Sequence, residues 1–415
     1  LAALLPYGVG NTHPRFFGWV HGSGNPGGIL AEMAGAAMNV NLGGRDHGAI
    51  YVEKQVLEWC RQMLGFPEGA SGLIVSGTSM ATIIALKVAR DQQLGEDCRK
   101  KGIAGTGLVG YASAQAHSCI GRAFDLLGLG SNSLRKIACD SDFRMDTGAL
   151  KKAIAQDRKE GYVPFMLIGT AGSVNVGAID NLSVLAEIAR HEKLWFHIDG
   201  AFGATAILSK HLGEQLAGLE QADSVAFDFH KWLHVNYDAG CVMIRSQTAH
   251  LQAFAGRPEY LTGKEQGLAA GSPWPVDYGP ELSRGFRALK IWAHLLEHGV
   301  DKLAAAMEAN CAQAAYLGRR IQDLSKFELL APVLLNIVCF RYVPARAGKL
   351  DELNTEIVIT LQELGIAAPS TTVLHGKVAI RVNITNHRTE IHDLDMLLAE
   401  AAEIGDRISG QSYFL

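Results

Sequence analysis

Ser224-Val-Ala-Phe-Asp-Phe-His-Lys-Trp-Leu-His234 opens on a short β-prone run and closes on a cluster of polar side chains. Leu194-Trp-Phe-His-Ile-Asp199 has the same build and ends on an aspartate, 32 residues before Lys231. Runs this short that carry apolar residues on both faces fit strands buried between two helix layers. The pattern repeats on both sides: Gly72-Leu-Ile-Val-Ser, Gly107-Leu-Val-Gly-Tyr-Ala, Leu134-Arg-Lys-Ile-Ala-Cys and Phe165-Met-Leu-Ile-Gly precede, and Ala239-Gly-Cys-Val-Met-Ile-Arg follows. Helical repeats such as Met80 to Arg90 and Leu182 to Arg190 lie between them. This alternation predicts an α/β fold with a mainly parallel sheet and helices on both faces. Ligands of such sheets gather at the carboxyl ends of the strands, where the polar residues of this chain also fall.

Beyond the alternating part, Ala269-Ala-Gly-Ser-Pro-Trp-Pro-Val-Asp-Tyr-Gly-Pro280 is too punctuated for helix or strand and reads as a loop. A helix is expected from about Glu281 to His298. Strand, helix, strand, helix then follow at 335–342, 353–364, 378–384 and 391–404, a small α+β lobe. The first 45 residues, rich in Gly, Pro and aromatics, read as an arm that packs elsewhere. The expected division is an arm over 1–45, a large domain over 46–298 and a small domain over 299–415.

The net charge of −4, with basic residues scattered, gives no footprint for nucleic acid. No apolar run approaches the roughly 18 residues of a membrane helix. The seven cysteines lie far apart and form no Cys-x-x-Cys pair, which disfavours a disulfide framework or zinc site and fits a reducing, cytoplasmic setting. His230-Lys-Trp-Leu-His234 has the spacing of two metal-binding histidines but lacks the glutamate of a zinc-protease helix, so no metal is expected.

Four features converge on one chemistry. Ser76-Gly-Thr-Ser-Met80 joins a strand to a helix, and Gly77, the helix-start amides and the Thr78 and Ser79 hydroxyls suit a phosphate. By itself the segment reads first as an ordinary Ser/Thr helix cap. His117, just past a strand end, could lie flat on a planar ring. Asp199 ends an apolar strand, where an unpaired carboxylate is costly and a protonated pyridine nitrogen would pair it. Lys231 supplies an amine able to bond an aldehyde. Together these are what pyridoxal phosphate needs from a protein. Ser173, in Gly169-Thr-Ala-Gly-Ser-Val-Asn-Val-Gly-Ala-Ile-Asp180, could touch the cofactor or orient Asp199; the alternative is a turn.

On these residues the chain resembles the group II pyridoxal-phosphate-dependent amino-acid decarboxylases, a fold-type-I family. The likeness also takes in His13-Pro-Arg-Phe-Phe17, Arg144-Met-Asp-Thr-Gly-Ala-Leu, Phe286-Arg-Ala-Leu-Lys-Ile-Trp and Arg381-Val-Asn-Ile-Thr-Asn. The resemblance implies that Lys231 holds the cofactor, Asp199 pairs with its ring nitrogen and His117 stacks on the ring. It places Thr78, Ser79, Asp228 and His230 around the phosphate, Ser173 near the ring and Arg381 near the substrate. It implies a homodimer to which the arm contributes, and α-decarboxylation of an L-amino acid to an amine. Phe17 and Trp19 in the arm favour an aromatic substrate, with Trp19 as a contact, while Arg45 keeps an acidic one open.

Three departures from the family pattern stand out. Met80 replaces a frequent glutamate, and Phe229 replaces a proline. The mobile loop usually carries a tyrosine that returns a proton to the substrate carbon. Here the spacing puts Trp274 or Pro275 at that position, and Tyr278, three residues on, is the expected substitute. Aldehyde formation, transamination and cofactor binding without catalysis are the alternative readings.

Overall fold

A computed structural model describes residues 3–256, 263–345 and 348–410. Its strands are β1 (Ser71–Val75), β2 (Leu108–Ser113), β3 (Leu134–Ile137), β4 (Val163–Thr170), β5 (Trp195–Asp199), β6 (Ser224–Asp228) and β7 (Gly240–Ile244) in the large sheet. The order is β1-β7-β6-β5-β4-β2-β3. Neighbours from β3 through β6 run parallel, and β7 runs antiparallel to both β1 and β6. Every strand expected between residues 72 and 245 is present, within about two residues at each end.

Register gathers the polar strand ends in one row. Thr170 pairs with Asp199, Asp199 with Ala226, Asp228 with Gly240, and Gly240 with Val75. The carboxyl ends of β1, β4, β5 and β6 therefore share an edge with the start of β7. The helix Thr78–Leu94 leaves that edge and buries Ala81, Ile84, Ala85 and Val88, a helical stripe, against β1, β6 and β7. A Cβ on Gly240 would stand 2.5 Å from Gly77 Cα, so glycine at 240 lets the β1 turn lie directly on β7.

The second sheet, in the order β10-β11-β9-β8, is antiparallel throughout: β8 (Phe327–Leu329), β9 (Ile337–Tyr342), β10 (Ser370–Leu374) and β11 (Lys377–Asn383). The helices Leu350–Glu363 and Ile391–Ser409 close its core. Neither β8 nor β10 was expected. Both are edge strands; β8 has three residues and β10 turns three of its five at least partly to solvent, so neither carries a buried apolar run.

The expected helix at 281–298 starts six residues later, at Arg287, and runs to Asp323 with a break at Gly299, where φ is +68°. Residues 281–286 stay out of the helix, with Arg284 held by tertiary bonds. Arg284 turns inward to Glu53 (2.6 Å) and donates to the Leu42 carbonyl, while its own carbonyl accepts from the Leu42 amide. We keep the domain division at 299 as a proposal marked by that break; residues beyond it enter both cores, Leu303 and Met307 the large, Leu317 and Ile321 the small.

Part of the arm packs on its own chain. Phe17 is fully buried in the small core. The Ser23 hydroxyl lies 3.2 Å from His234 Nδ1, and Asn25 donates to the His234 carbonyl. Among the described residues no helix is long and apolar enough to cross a membrane.

Candidate active site

The row of strand ends opens into a cleft of about 320 Å³ lined by Ser76, Gly77, Thr78, Ser79, His117, Cys119, Ala201, Asp228, His230, Lys231 and Tyr237. Its size is in the range of small-molecule sites. Asp228 organises one wall. Its Oδ1 accepts from the Thr78 amide at 2.7 Å, tying β6 to the phosphate-type turn, and its Oδ2 meets Lys231 Nζ at 2.9 Å. Lys231 reaches it because the strand ends at Asp228 and the next three residues turn, so residues three apart share a side.

Burial works to lower the pKa of the Lys231 amine, but the charge and hydrogen bond of Asp228 and the charge of Asp199 outweigh it and raise the value. Asp199, at the end of β5, is 3% exposed and accepts one backbone bond, from Ala201 at 3.2 Å. Burial raises its pKa above the ordinary carboxylate range, against the pull of Lys231. Such a carboxylate favours a cationic partner.

His117 caps the helix Ser118–Leu126, with Nδ1 accepting from the Cys119 amide at 3.2 Å. Burial lowers its pKa, Lys231 adds to the effect and Asp199 opposes it, which leaves a neutral ring facing the cleft. His230 accepts from the Ala239 amide through Nδ1 at 3.0 Å, and its Nε2 stands 3.7 Å from Asp228. The Tyr237 ring packs on His230 with centroids 4.4 Å apart.

The residues present fit pyridoxal phosphate. The Thr78 hydroxyl is buried on the cleft and has no hydrogen-bond partner among the described residues, which suits a phosphate ligand. The buried Asp199 carboxylate suits a ring cation. Lys231 is the amine within the cleft. Other lysines are engaged elsewhere: Lys87 with Asp91, and Lys290 with Glu32.

Five expected site residues fall outside this lining; Asp199 is one, and it meets the lining through its bond from the Ala201 amide. The Ser173 hydroxyl accepts from the Ala178 amide at 3.1 Å within its own turn, the alternative already open in the sequence. Arg381 on β11 donates to the carbonyls of Val174 (2.8 Å) and Trp19 (2.9 Å) and has no carboxylate partner among the described residues. Its Nη2 is buried and unpartnered, and burial lowers its pKa to about 10. Trp19 itself is half-exposed, fixed through its backbone.

Tyr278 lies away from Lys231 of its own chain. Its hydroxyl takes a bond from Gln247 at 2.6 Å, its ring packs on His250, and it is buried against Leu73 and Ala249. That is the opposite, amino end of β1, because Trp274 plugs the turn: its indole N–H donates to the Ala270 carbonyl and Arg45 lies over its ring. Tyr237 and Cys119, which do line the cleft, were missed; Tyr237 lies only six residues after Lys231, and that spacing was the available signal.

Comparison with known proteins agrees with this geometry. A family model described as the pyridoxal-dependent decarboxylase conserved domain matches residues 1–343. An aromatic-L-amino-acid decarboxylase of Bacillus atrophaeus is 35% identical over 404 residues, covering 96% of this chain and 82% of that protein. A solved structure of Oryza sativa TDC with PLP and tryptamine superposes with a TM-score of 0.88 at 26% identity, over 98% of this chain and 86% of that one. The glutamate decarboxylase domain of a diaminobutyrate-pyruvate transaminase and L-2,4-diaminobutyrate decarboxylase from Vibrio parahaemolyticus gives 0.85 at 28% identity, over 95% and 81%.

Proposed function

The chain belongs to the pyridoxal-dependent decarboxylases, and from that premise we propose that it converts an aromatic L-amino acid to the corresponding amine and carbon dioxide. It is a carboxy-lyase that uses pyridoxal phosphate for amino-acid decarboxylation. What supports the site reading is the convergence of Lys231, His117 and the Thr78 turn on one cleft, with the buried Asp199 carboxylate bonded to Ala201 of the same lining.

When bound, the pyridine ring supplies an electron sink for the pair left at Cα as carbon dioxide departs. Lys231 Nζ would anchor the group, with Asp228 Oδ2 holding its proton at 2.9 Å. Asp199 would keep a proton on the ring nitrogen. Thr78 and Ser79 would hold the phosphate, with His230 beside them. His117 would pack against the ring and, among the groups lining this cleft, is the one we propose to return a proton to Cα. Arg381 acts on the substrate side by holding Trp19 and the Val174 turn in place, and Ser173 supports that same turn.

Turnover of a panel of L-amino acids by the holoprotein tests the substrate and the product together. Carbon dioxide and amine should appear in equal amounts, with the highest kcat/KM for tryptophan- or tyrosine-type substrates. Faster turnover of glutamate or 2,4-diaminobutyrate would overturn the aromatic assignment, and release of aldehyde with consumption of oxygen would overturn the amine.

A homodimer is proposed on the arm, where Leu4, Leu5, Tyr7, Ile29, Leu30 and Met33 are each more than half exposed. Apolar surface of that density belongs at an interface, and obligate homodimers bury more than about 2,000 Å². Sedimentation should find one species of twice the chain mass, and an active monomer would contradict the proposal. The seven unpaired cysteines support a cytoplasmic setting. Most of them are buried, so alkylation on lysis under denaturing conditions is the test, and labelling of fewer than all would contradict it.

A further inference from the structure

We propose that His21 and Tyr237 form the wall against which the substrate side chain lies, and that they select an aromatic ring bearing a hydrogen-bonding group, a phenol or an indole, over a plain phenyl ring. The inference rests on the aromatic reading above and narrows it.

An unbroken run of rings leads out of the cleft. Tyr237 lines the cleft beside Lys231 and packs on His230 at 4.4 Å. His21 follows at 5.8 Å from Tyr237, Trp19 at 5.9 Å from His21, and Phe16 at 6.2 Å from Trp19. Such centroid separations are those of interacting aromatic pairs, so a further ring laid on the run gains contact on a prepared surface.

The run is held in place although two of its members are well exposed, Trp19 at 55% and Tyr237 at 46%. Gly22 makes this possible: a Cβ there would stand 2.3 Å from the His230 carbonyl oxygen and 2.5 Å from that of Lys231. The arm therefore lies directly on the lysine turn, and His21 is placed beside it. The Thr385 hydroxyl donates to the His21 carbonyl at 2.9 Å, and the Arg381 guanidinium to that of Trp19, which holds φ +49°. A left-handed tryptophan is strained, and a buried arginine holding it there indicates that its placement is specified.

Hydrogen-bonding capacity on the wall is unspent. Among the described residues nothing bonds to either ring nitrogen of His21. Burial, and then the charge of Lys231, lower its pKa, so near neutral pH the ring offers one donor and one acceptor. Burial raises the Tyr237 pKa to about 12, so its hydroxyl keeps its proton to donate. A neutral imidazole and a phenol do not neutralise a charged substrate side chain, but they match a phenol or an indole N–H. A site built to bond such a group discriminates against the analogue lacking it, by about tenfold for each neutral hydrogen bond lost.

The test compares L-tyrosine with L-phenylalanine as substrates. It also measures calorimetric binding of 3-(4-hydroxyphenyl)propionate and 3-phenylpropionate to the cofactor-free protein, where no reaction occurs. In the wild type both ratios should favour the hydroxylated member. His21→Phe keeps a ring but no nitrogen and should lower the two ratios about tenfold, with His21→Gln restoring part of the loss and Tyr237→Phe acting in the same direction. Unchanged ratios in His21→Phe and Tyr237→Phe, with aromatic substrates still preferred overall, would overturn this inference alone. Preference of the wild type for a non-aromatic amino acid, with neither acid bound, would overturn the aromatic reading and this inference with it.

Discussion

Lys231→Ala is expected to abolish covalent retention of pyridoxal phosphate and to lower turnover by several orders of magnitude. Borohydride reduction of the wild-type holoprotein should leave the pyridoxyl group on the peptide carrying Lys231, and the variant should carry none. A tag on Lys87, Lys264 or Lys290 would relocate the site. Lys87 and Lys290 already engage Asp91 and Glu32. Removing the amine also strips Asp228, only 2% exposed, of its cation partner at 2.9 Å. The alanine protein should therefore lose stability as well as activity, since a buried charge left unpaired is costly. Lys231→Arg separates the two effects. The guanidinium can still neutralise Asp228, so that variant should regain stability and remain inactive.

Asp199→Asn should retain the cofactor and lose most of its turnover, again by orders of magnitude, because an amide cannot keep a proton on the ring nitrogen. Retention is expected because Lys231 and the Thr78 turn are untouched, and the asparagine carbonyl can replace Oδ1 as acceptor for the Ala201 amide. The cofactor-free proteins offer a second readout. Burial raises the Asp199 pKa in the folded state, and the charge of Lys231 opposes this. A raised folded value means that stability from this group is full below its ordinary pKa, 3.8, and is lost as pH rises through the folded value. The cofactor-free wild type should therefore give up stability across that interval relative to Asp199→Asn. Near-normal turnover in a folded Asp199→Asn protein would remove the carboxylate from the chemistry.

Much of the large domain was legible because its signals are local. A strand buried on both faces announces itself by a short apolar run, and its carboxyl end is where such a run meets a polar residue. Asp199, Lys231 and His117 could be picked out on that basis and Asp228 through the family resemblance; the register sets Asp199 and Asp228 on one edge, where Lys231 and His117 line the cleft. Edge strands β8 and β10 lack such a run. Residues 281–286 were misread because their helical pattern yields to Arg284, whose partner Glu53 lies 231 residues away.

The residues that shape the cleft's outer half depend on such distant contacts. Nothing near Trp19 or His21 in sequence says that they lie beside the Lys231 turn; the Gly22 approach and the Arg381 bond across 362 residues do. Tyr278 shows the converse, a residue whose spacing suits a catalytic loop but which Gln247 and His250 hold at the other end of β1. The sheet and the cofactor class were readable from the chain alone, since strand periodicity and strand-end chemistry are written within a few residues. Only the tertiary structure decided which aromatic groups border the cleft and which tyrosine faces it, because those positions follow from packing between segments that the chain separates by hundreds of residues.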